Sequence, residues 1–358
     1  MAHLLAIRFS ALGDVAMTIA ALKAFADKYP DDQITLLSRP VAGALTEGLP
    51  SNVHLRPVNL DDYKGLAGLR KLSRELLSED YDVLVDWHDV LRSKVIRFFF
   101  RRARRKVAVI DKGRKERKLL TRPANKRLVQ LTTSPERYAA TLGQAGFPIE
   151  LKPYCLFGQS PADISDLSDI AGSKGQDIWI GIAPFAAHQG KVYPLHLMDS
   201  VISELADQEH PEWKGRTVRI FLFGSGSEER AWCEQAEKAH RNVTSLIGKS
   251  NLRKELRLIS NMDVMLTMDS ANMHLSALAG TKTVSIWGAT HPLAGFSGMQ
   301  VEGSRQVQLP LECRPCSIFG NKKCQYGDYR CLSNIKPETV AATIIKTISS
   351  EDNLKFEN

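Results

Sequence analysis

The sequence predicts an α/β protein with two domains, each built on a parallel β-sheet. Short buried apolar runs alternate with amphipathic helical segments, which is the pattern of right-handed βαβ units. The alternation weakens over residues 159–176, which are rich in Ser, Asp and Gly, and then restarts. A length of 358 residues also fits about two domains of ordinary size.

The first half is expected to contain four strands and two helices. Apolar residues from Val15 to Ala26 recur at helical spacing, and Pro30 ends this helix. The strand segments are apolar runs typical of a buried parallel sheet. The predicted strands cover residues 3–9, 34–37, 53–57 and 81–86, and the predicted helices cover 15–29 and 64–77.

The second half repeats the alternation after a new first strand at residues 178–183. Further strands are predicted at 218–223, 243–247, 264–267 and 283–287, with helices at 195–205, 229–240, 252–260, after Ser270 and at 337–349. The predicted domains are therefore residues 1–160 and 177–335, followed by a C-terminal helix and tail over 336–358.

Two polar turns follow neighbouring predicted strands in the second half. Asp269, Ser270 and His274 lie where a strand passes into a helix, and Gly288 and Thr290 follow the next strand. Ligands of open α/β sheets bind at such strand ends, and a helix start favours an anion. The pattern indicates a phosphate or diphosphate site. The alternative is structural, with Asp269 or Ser270 as a plain helix cap and His274 as a core histidine.

Composition places the chain among globular proteins of the cytoplasm. Its residues are 43% hydrophobic and 25% charged. No apolar run approaches the ~20 residues that span a bilayer. The apolar part of the N-terminus is too short for a secretory signal. Six cysteines in this length do not indicate a disulfide scaffold.

Positive charge is concentrated in one segment, residues 92–127. It contains sixteen Lys or Arg and two acids, for a net charge of +14, and leaves the rest of the chain at −6. Such local basicity indicates an anionic partner or a solvated charged face. Nucleic-acid binding is a third interpretation, but no nucleic-acid-binding motif accompanies the charge, and we expect no nucleic-acid partner.

Four cysteines lie close together near the C-terminus, at Cys313, Cys316, Cys324 and Cys331. Four thiolates are the ligand count of a structural zinc site. However, the spacing of the second pair does not match a CxxC knuckle. Zinc ligands and reduced or redox-labile thiols both remain open interpretations.

Five motifs in order resemble glycosyltransferase family nine, the lipopolysaccharide heptosyltransferases, over nearly the whole chain. They are residues 8–15 (RFSALGDV), residues 184–194 with Lys191, residues 268–274, residues 288–292 (GATHP) and residues 313–316 (CRPC).

The resemblance implies a GT-B fold, two Rossmann-like domains facing across a cleft. It implies inverting transfer of a heptose from ADP-heptose to a lipid-anchored core oligosaccharide, without a metal and with no other cofactor. The N-terminal domain would bind the acceptor and the C-terminal domain the donor. The enzyme would be cytoplasmic and in peripheral contact with the inner membrane. Two alternatives are a family-nine enzyme that uses another nucleotide sugar and a non-catalytic protein that binds nucleotide sugars or anionic glycans.

The family motifs assign roles to two residues that need separate physical arguments. The family's general base falls on Asp14, and a carboxylate there can take the acceptor hydroxyl proton. The alternative is a plain helix-start aspartate. The family's phosphate-binding lysine falls on Lys191, and a leaving diphosphate without a metal needs such a cation to stabilise its developing charge. The alternative is an exposed lysine.

The donor motif maps onto Asp269, Ser270, Ala271 and His274, with Gly288 and Thr290 as further donor contacts. Ala271 departs from the glycine usual in the family, so the turn is less permissive there. The turn after Phe223 lacks the acid that often contacts the donor ribose in heptosyltransferases, and Glu228 is the candidate substitute.

The acceptor is expected to meet the basic segment. Arg101, Arg102, Arg104 and Arg105 follow the apolar run Phe98–Phe100, a combination suited to anionic headgroups with apolar anchoring. These four arginines are the predicted acceptor-binding residues.

Overall fold

The computed structural model describes residues 1–349, so the predicted tail beyond them lies outside the described residues. Contacts divide the chain into two compact units. Unit 1 comprises residues 1–114 and 132–156, and unit 2 comprises residues 115–131 and those from 157 onward. The chain thus contributes a segment to unit 2 before it completes unit 1.

The segment 115–131 packs on unit 2 through specific contacts. The Leu131 amide donates to the Leu293 carbonyl over 2.9 Å, and Lys126 Nζ donates to the Glu312 carbonyl over 2.7 Å. The Arg117 guanidinium lies 4.7 Å from the centre of the Phe296 ring. The basic segment 92–127 is therefore divided between the two units.

Unit 1 contains a five-stranded parallel sheet in the order β3-β2-β1-β4-β5. Its strands are β1 His3–Ile7, β2 Gln33–Ser38, β3 Val53–Pro57, β4 Val83–Asp86 and β5 Lys106–Val109. Its helices are α1 Leu12–Ala16, α2 Ile19–Lys28, α3 Gly43–Thr46, α4 Gly65–Ser78, α5 Leu91–Arg102 and α7 Ser134–Gln144, and α6 Arg114–Leu120 begins at the boundary with unit 2.

Unit 2 contains a six-stranded parallel sheet in the order β11-β10-β9-β6-β7-β8. Its strands are β6 Ile178–Ala183, β7 Val218–Leu222, β8 Val243–Ser245, β9 Val264–Met268, β10 Thr283–Ile286 and β11 Arg305–Val307. Its helices are α8 Ser168–Ala171, α9 Leu195–Ala206, α10 Gly226–Ala239, α11 Leu252–Ser260, α12 Ala271–Leu278, α13 Arg330–Ser333 and α14 Pro337–Ser349.

Each sheet is buried between helices, as the continuous apolar strands predict. Every residue of β6 and β9 is buried, and the C-terminal helix α14 packs on α9 in the same core. The central strands β1 and β4 are buried in unit 1 except for His3. The α/β class with two parallel sheets is confirmed.

Most predicted elements are confirmed to within a few residues, with one split helix and several omissions. The helix predicted over residues 15–29 is divided into α1 and α2. The Thr18 hydroxyl donates to the Val15 carbonyl over 2.7 Å at the break. Strands β5 and β11 and helices α5, α6 and α7 were not predicted from the sequence. No helix in residues 1–349 is long and apolar enough to cross a membrane.

Candidate functional site

Asp14 lies on α1, just beyond the carboxyl end of the central strand β1. Its Oδ2 is 2.6 Å from Arg8 Nη2 and accepts a hydrogen bond from the Ala11 amide over 3.2 Å. Both contacts use Oδ2, and Oδ1 makes no hydrogen bond within residues 1–349. The Asp14 side chain is 27% exposed. One carboxylate oxygen is therefore held in place and the other is available to a ligand.

Arg8 links Asp14 to the neighbouring strand β4. Its side chain is only 9% exposed, and Nη1 donates to the Trp87 carbonyl over 2.8 Å. Burial alone would lower the pKa of Arg8, but Tyr138, Asp14 and other neighbours raise it overall. Arg8 Nε is buried, with no hydrogen-bond partner among residues 1–349. Arg8 lies in the first family motif, but no role was predicted for it from the sequence.

Charged side chains also follow β4 and β5 at the same carboxyl edge. Asp89 receives Arg97 Nη2 at 3.2 Å on Oδ1 and Arg114 Nη2 at 2.5 Å on Oδ2. Lys112 Nζ donates to the Asp89 carbonyl over 3.3 Å. Together with their neighbours they form what we call the unit 1 edge cluster, consisting of Arg8, Asp14, Asp86, His88, Asp89, Arg97, Lys112 and Arg114.

Burial and neighbouring cations lower the pKa of two basic members of the edge cluster, His88 and Lys112. Burial, reinforced by Arg8 and Lys112, lowers the pKa of His88 to about 3, so its imidazole is neutral at ordinary pH. Burial and Arg8 also lower the pKa of Lys112. His88 Nδ1 accepts from the Phe9 amide over 3.4 Å, which leaves the proton on Nε2. The cluster is chemically suited to an anion.

The four predicted acceptor-binding arginines lie at the opposite edge of the same sheet. Arg101 and Arg102 end α5, while Arg104 and Arg105 immediately precede β5. Arg105 pairs with Asp80 and Asp82, which both lie in the turn that precedes β4. A four-residue strand separates the two edges by about 13 Å. The structure therefore does not bring these arginines together with Asp14.

The apolar run beside those arginines is also divided. Phe100 is fully buried in the core of unit 1, and Phe99 is half-buried. Only Phe98 is exposed, at 60%. The run therefore cannot act as a whole as an apolar anchor, because one of its three rings is required by the core.

In unit 2, Lys191 and Asp269 come together at the carboxyl edge of the sheet. Lys191 ends a 3₁₀ turn after β6, and Asp269 follows β9, the next strand in the sheet. Lys191 Nζ is 2.9 Å from Asp269 Oδ2, and their side chains are 15% and 4% exposed. Lys191 is therefore not the exposed lysine of the alternative interpretation.

The start of α12 lies directly after this pair. Ser270 is the N-cap residue, yet its hydroxyl makes no capping bond and is buried with no partner in the described part of the chain. Ala271 begins the helix, and His274 is buried one turn later. The first amide groups of a helix have no partner within the helix. The residues of the donor motif therefore converge at one helix start.

The turn after β10 supports this arrangement through its backbone. The Ala289 amide donates to the Gly190 carbonyl over 2.8 Å, which joins the turn to the loop that carries Lys191. A Cβ at Gly288 would lie 2.7 Å from the Gly190 carbonyl oxygen and 2.5 Å from Leu332. Thr290 is fully buried, and its hydroxyl has no partner among residues 1–349.

Two residues that the sequence reasoning missed hold this turn and loop. The buried Arg314 donates to the carbonyl groups of Gly288, Thr290 and Leu309. Gly320, with φ +74°, leaves room for the Lys191 stem, because a Cβ there would lie 2.6 Å from Lys191 Cγ. Arg314 lies in the CRPC motif, so its position was visible, but its role as a backbone support was not.

Glu228 is exposed in the first turn of α10. Its neighbour Glu229 is engaged instead, because Oε2 accepts from the Ser225 amide over 2.7 Å. Glu229 thus stabilises the glycine-containing turn after β7. The carboxylate of Glu228 faces solvent and is available for a ligand.

The four clustered cysteines line one small cavity together with Arg314 and Tyr329. All four thiols are free. Burial raises the pKa of Cys331 to about 11, while backbone amides of residues 326, 327 and 329 outweigh burial and lower that of Cys324. Within residues 1–349, no three His, Cys, Asp or Glu side chains are grouped so as to hold a metal ion.

Two Rossmann-like units that carry these motifs in this order define a GT-B glycosyltransferase. The model of glycosyltransferase family 9 (heptosyltransferase) matches residues 69–324. The chain belongs to this family. It is 26% identical over 334 residues to lipooligosaccharide heptosyltransferase 2 of Campylobacter jejuni, which covers 92% of this chain and 93% of that protein.

Solved structures share the fold over both units. The family 9 glycosyltransferase from Veillonella parvula matches with a TM-score of 0.71 at 17% identity and covers 97% of each chain. The E. coli ADP-heptose LPS heptosyltransferase II matches with a TM-score of 0.67 at 18% identity, over 97% of this chain and 98% of that one. The GT-B fold is confirmed.

Proposed function

We propose that this glycosyltransferase moves a heptose from ADP-heptose to a lipopolysaccharide core acceptor, with inversion and without a metal ion. The names of its relatives, a lipooligosaccharide heptosyltransferase and an ADP-heptose heptosyltransferase, support the sugar and the donor. The observation that carries the proposal is the ion pair of Lys191 with the buried Asp269 beside the α12 start.

In the proposed reaction, unit 2 holds the donor through its diphosphate. Lys191 supplies positive charge, and the first amides of α12 and the side chain of His274 supply further donors of hydrogen bonds. The Gly288–Thr290 turn contributes contacts from the adjacent strand end. When the bond between the anomeric carbon and the diphosphate oxygen breaks, its electron pair passes to ADP, and these groups stabilise the developing charge.

In the same proposal, unit 1 binds the acceptor and supplies the general base. The acceptor hydroxyl attacks the anomeric carbon from the face opposite the diphosphate, which inverts the configuration. Its proton passes to Asp14 Oδ1, while Arg8 fixes the other carboxylate oxygen. The positive edge cluster would hold a phosphate or carboxylate of the acceptor, with Lys112 and neutral His88 as donors of hydrogen bonds.

The test is ADP release by the full chain in the presence of chelator. We expect ADP only when ADP-heptose and a truncated core acceptor are both present, together with an acceptor mass increased by one heptosyl group. Turnover with ADP-glucose or a UDP-sugar in its place would assign a different donor. Binding of ADP-heptose without turnover on any core acceptor would make the protein a non-catalytic binder and overturn the proposal.

A further inference from the structure

Helices α4 and α5 lie side by side on the same face of the unit 1 sheet. The connections β3-α4-β4 and β4-α5-β5 cross the sheet in the same direction, so right-handed crossovers place both helices on one face. The two helices also pack against each other. Each begins at the carboxyl edge, so they run parallel, with Leu66 and Leu91 at corresponding ends.

The outward side of this helix pair is unusually apolar. Apart from Met1, the three most exposed large apolar side chains in residues 1–349 are Leu91 at 76%, Leu66 at 72% and Phe98 at 60%. All three lie on α4 or α5. Phe98 is two turns beyond Leu91 and so shares its side of α5, about 10 Å along the axis.

Cations surround these apolar side chains. On α4, Arg70 and Arg74 follow Leu66 at intervals of four residues, and Lys71 is adjacent to Arg70. On α5, Lys94 lies between Leu91 and Phe98. Arg101 and Arg102 follow about one turn after Phe98. All of them are exposed. Helix α5 contains no acid, and the one acid of α4, Glu75, accepts from the Tyr63 hydroxyl over 2.6 Å and pairs with Arg56.

We infer that the α4–α5 face is a docking surface for a bilayer that contains anionic lipids. The combination of Leu and Phe with Lys and Arg on one helical side, without free acids on it, complements anionic headgroups above an apolar layer. Arg101 and Arg102 lie too far from Asp14 to bind the reacting part of the acceptor, but on this surface they would bind lipid headgroups. Asp61, Asp62 and Asp80 lie beyond the helix ends and bound the surface.

The test is sedimentation of the full chain with vesicles, in the absence of donor and acceptor. We expect binding to vesicles of phosphatidylethanolamine and phosphatidylglycerol, weak binding to phosphatidylcholine vesicles, and loss of binding as salt rises. Leu91→Ser combined with Phe98→Ser should weaken partitioning at least about tenfold. Arg70→Ser and Arg101→Ser should each weaken it about fivefold, the factor that corresponds to about 1 kcal/mol per cation.

Matched substitutions elsewhere serve as controls. Val41→Ser removes an exposed apolar side chain of unit 1, and Lys238→Ser with Arg241→Ser removes exposed cations of unit 2. Both should bind vesicles like the original chain. Equal binding by all variants, or no binding to anionic vesicles, would overturn the docking surface. Because transfer to a delipidated acceptor is measured separately, failure of docking is distinguishable from failure of the proposed reaction.

Discussion

The carboxyl edges of the two sheets are built in different ways. In unit 2, one ion pair, between Lys191 and the buried Asp269, lies among glycine-containing turns joined by backbone hydrogen bonds. In unit 1, a network of long side chains surrounds Asp14, with Arg8 and Arg97 each shared between two partners. The first edge is fixed by backbone packing and the second by charge.

The difference indicates two kinds of ligand. Close backbone packing, as at Gly288, suits a group of constant shape, which a nucleoside diphosphate presents in every turnover. In the unit 1 network, Asp14 and Arg114 are 27% and 68% exposed, so an external anion can reach this edge from solvent. This suits an acceptor whose anionic substituents approach from outside. The four predictions below test this contrast.

The largest effect should come from Asp14→Asn. The Asn side-chain oxygen can still accept from the Ala11 backbone amide, but it cannot take the proton of the acceptor hydroxyl. Turnover should therefore fall about 10²–10⁴-fold. ADP binding should be unchanged, because the proposed diphosphate site lies in unit 2. Initial rates of ADP release and calorimetry with ADP measure the two quantities.

Asp27→Asn is the matched control for this substitution. Asp27 is an exposed carboxylate of unit 1 that pairs with Lys23 at 2.6 Å. Its loss should leave turnover intact. A near-normal rate for Asp14→Asn would return this residue to the role of a plain helix-start aspartate.

The next effect concerns the rigid edge of unit 2. Lys191→Met should weaken ADP binding by about 1.5–3 kcal/mol, or roughly 10- to 150-fold, since a charge-assisted contact is lost. It should also lower the free energy of unfolding, because the buried Asp269 carboxylate loses its partner. Calorimetry with ADP and thermal unfolding separate the two effects.

The double variant Lys191→Met with Asp269→Asn separates structure from binding. Removing both charges should recover much of the lost stability but none of the ADP affinity. Lys249→Met, which breaks the exposed pair with Glu237, is the control. If the double variant regains ADP affinity along with its stability, Lys191 serves packing rather than the diphosphate.

The contrast also explains what the sequence could and could not predict. Asp269 and His274 are predictable because they follow a strong apolar strand, at whose carboxyl end ligands bind, whereas Lys191 is marked by the family motif. The cations Lys112 and Arg114 and the four displaced arginines flank β5, which is only four residues long and lies within a charge-dense run. Without β5, the sequence cannot say which edge a nearby arginine occupies.

Supports that act through the backbone were invisible for another reason. Arg314 and Gly320 belong to an irregular segment far along the chain from the loops that they hold. Neither periodicity nor strand-end rules apply to such a segment. The family motif marked the cysteines there, but only three-dimensional contacts reveal the residues between them.

A smaller effect should separate the two ends of the basic run in unit 1. Lys112→Met, at the carboxyl edge, should raise the acceptor KM about tenfold or more by removing a charged contact, with ADP affinity unchanged. Arg101→Ser with Arg102→Ser should leave the KM for a delipidated acceptor unchanged. Steady-state kinetics with that acceptor measure both. Equal acceptor KM values for the two variants would contradict the prediction that the acceptor binds at the carboxyl edge of the unit 1 sheet.

The smallest effect is a pH dependence of stability that both units share. Burial first, then the cations Arg8 and Lys112, lower the pKa of His88 to about 3, and burial with Arg314 lowers that of His291 to about 4. The unfolded chain binds the histidine proton near pH 6.5, whereas the folded chain does not until these lower values.

Below pH 6.5 the unfolded state therefore holds more protons, so stability is complete above pH 6.5 and falls as pH decreases towards 3 for His88 and towards 4 for His291. Each histidine contributes a slope of at most about 1.4 kcal/mol per pH unit. His88→Gln and His291→Gln should each flatten the decline of unfolding temperature between pH 7 and 5. His196→Gln, an exposed histidine of α9, should leave it unchanged. If the unfolding temperature of His88→Gln declines as steeply as that of the original chain, the His88 imidazole is protonated in the folded state. The edge cluster of unit 1 would then be less positive than its contacts indicate.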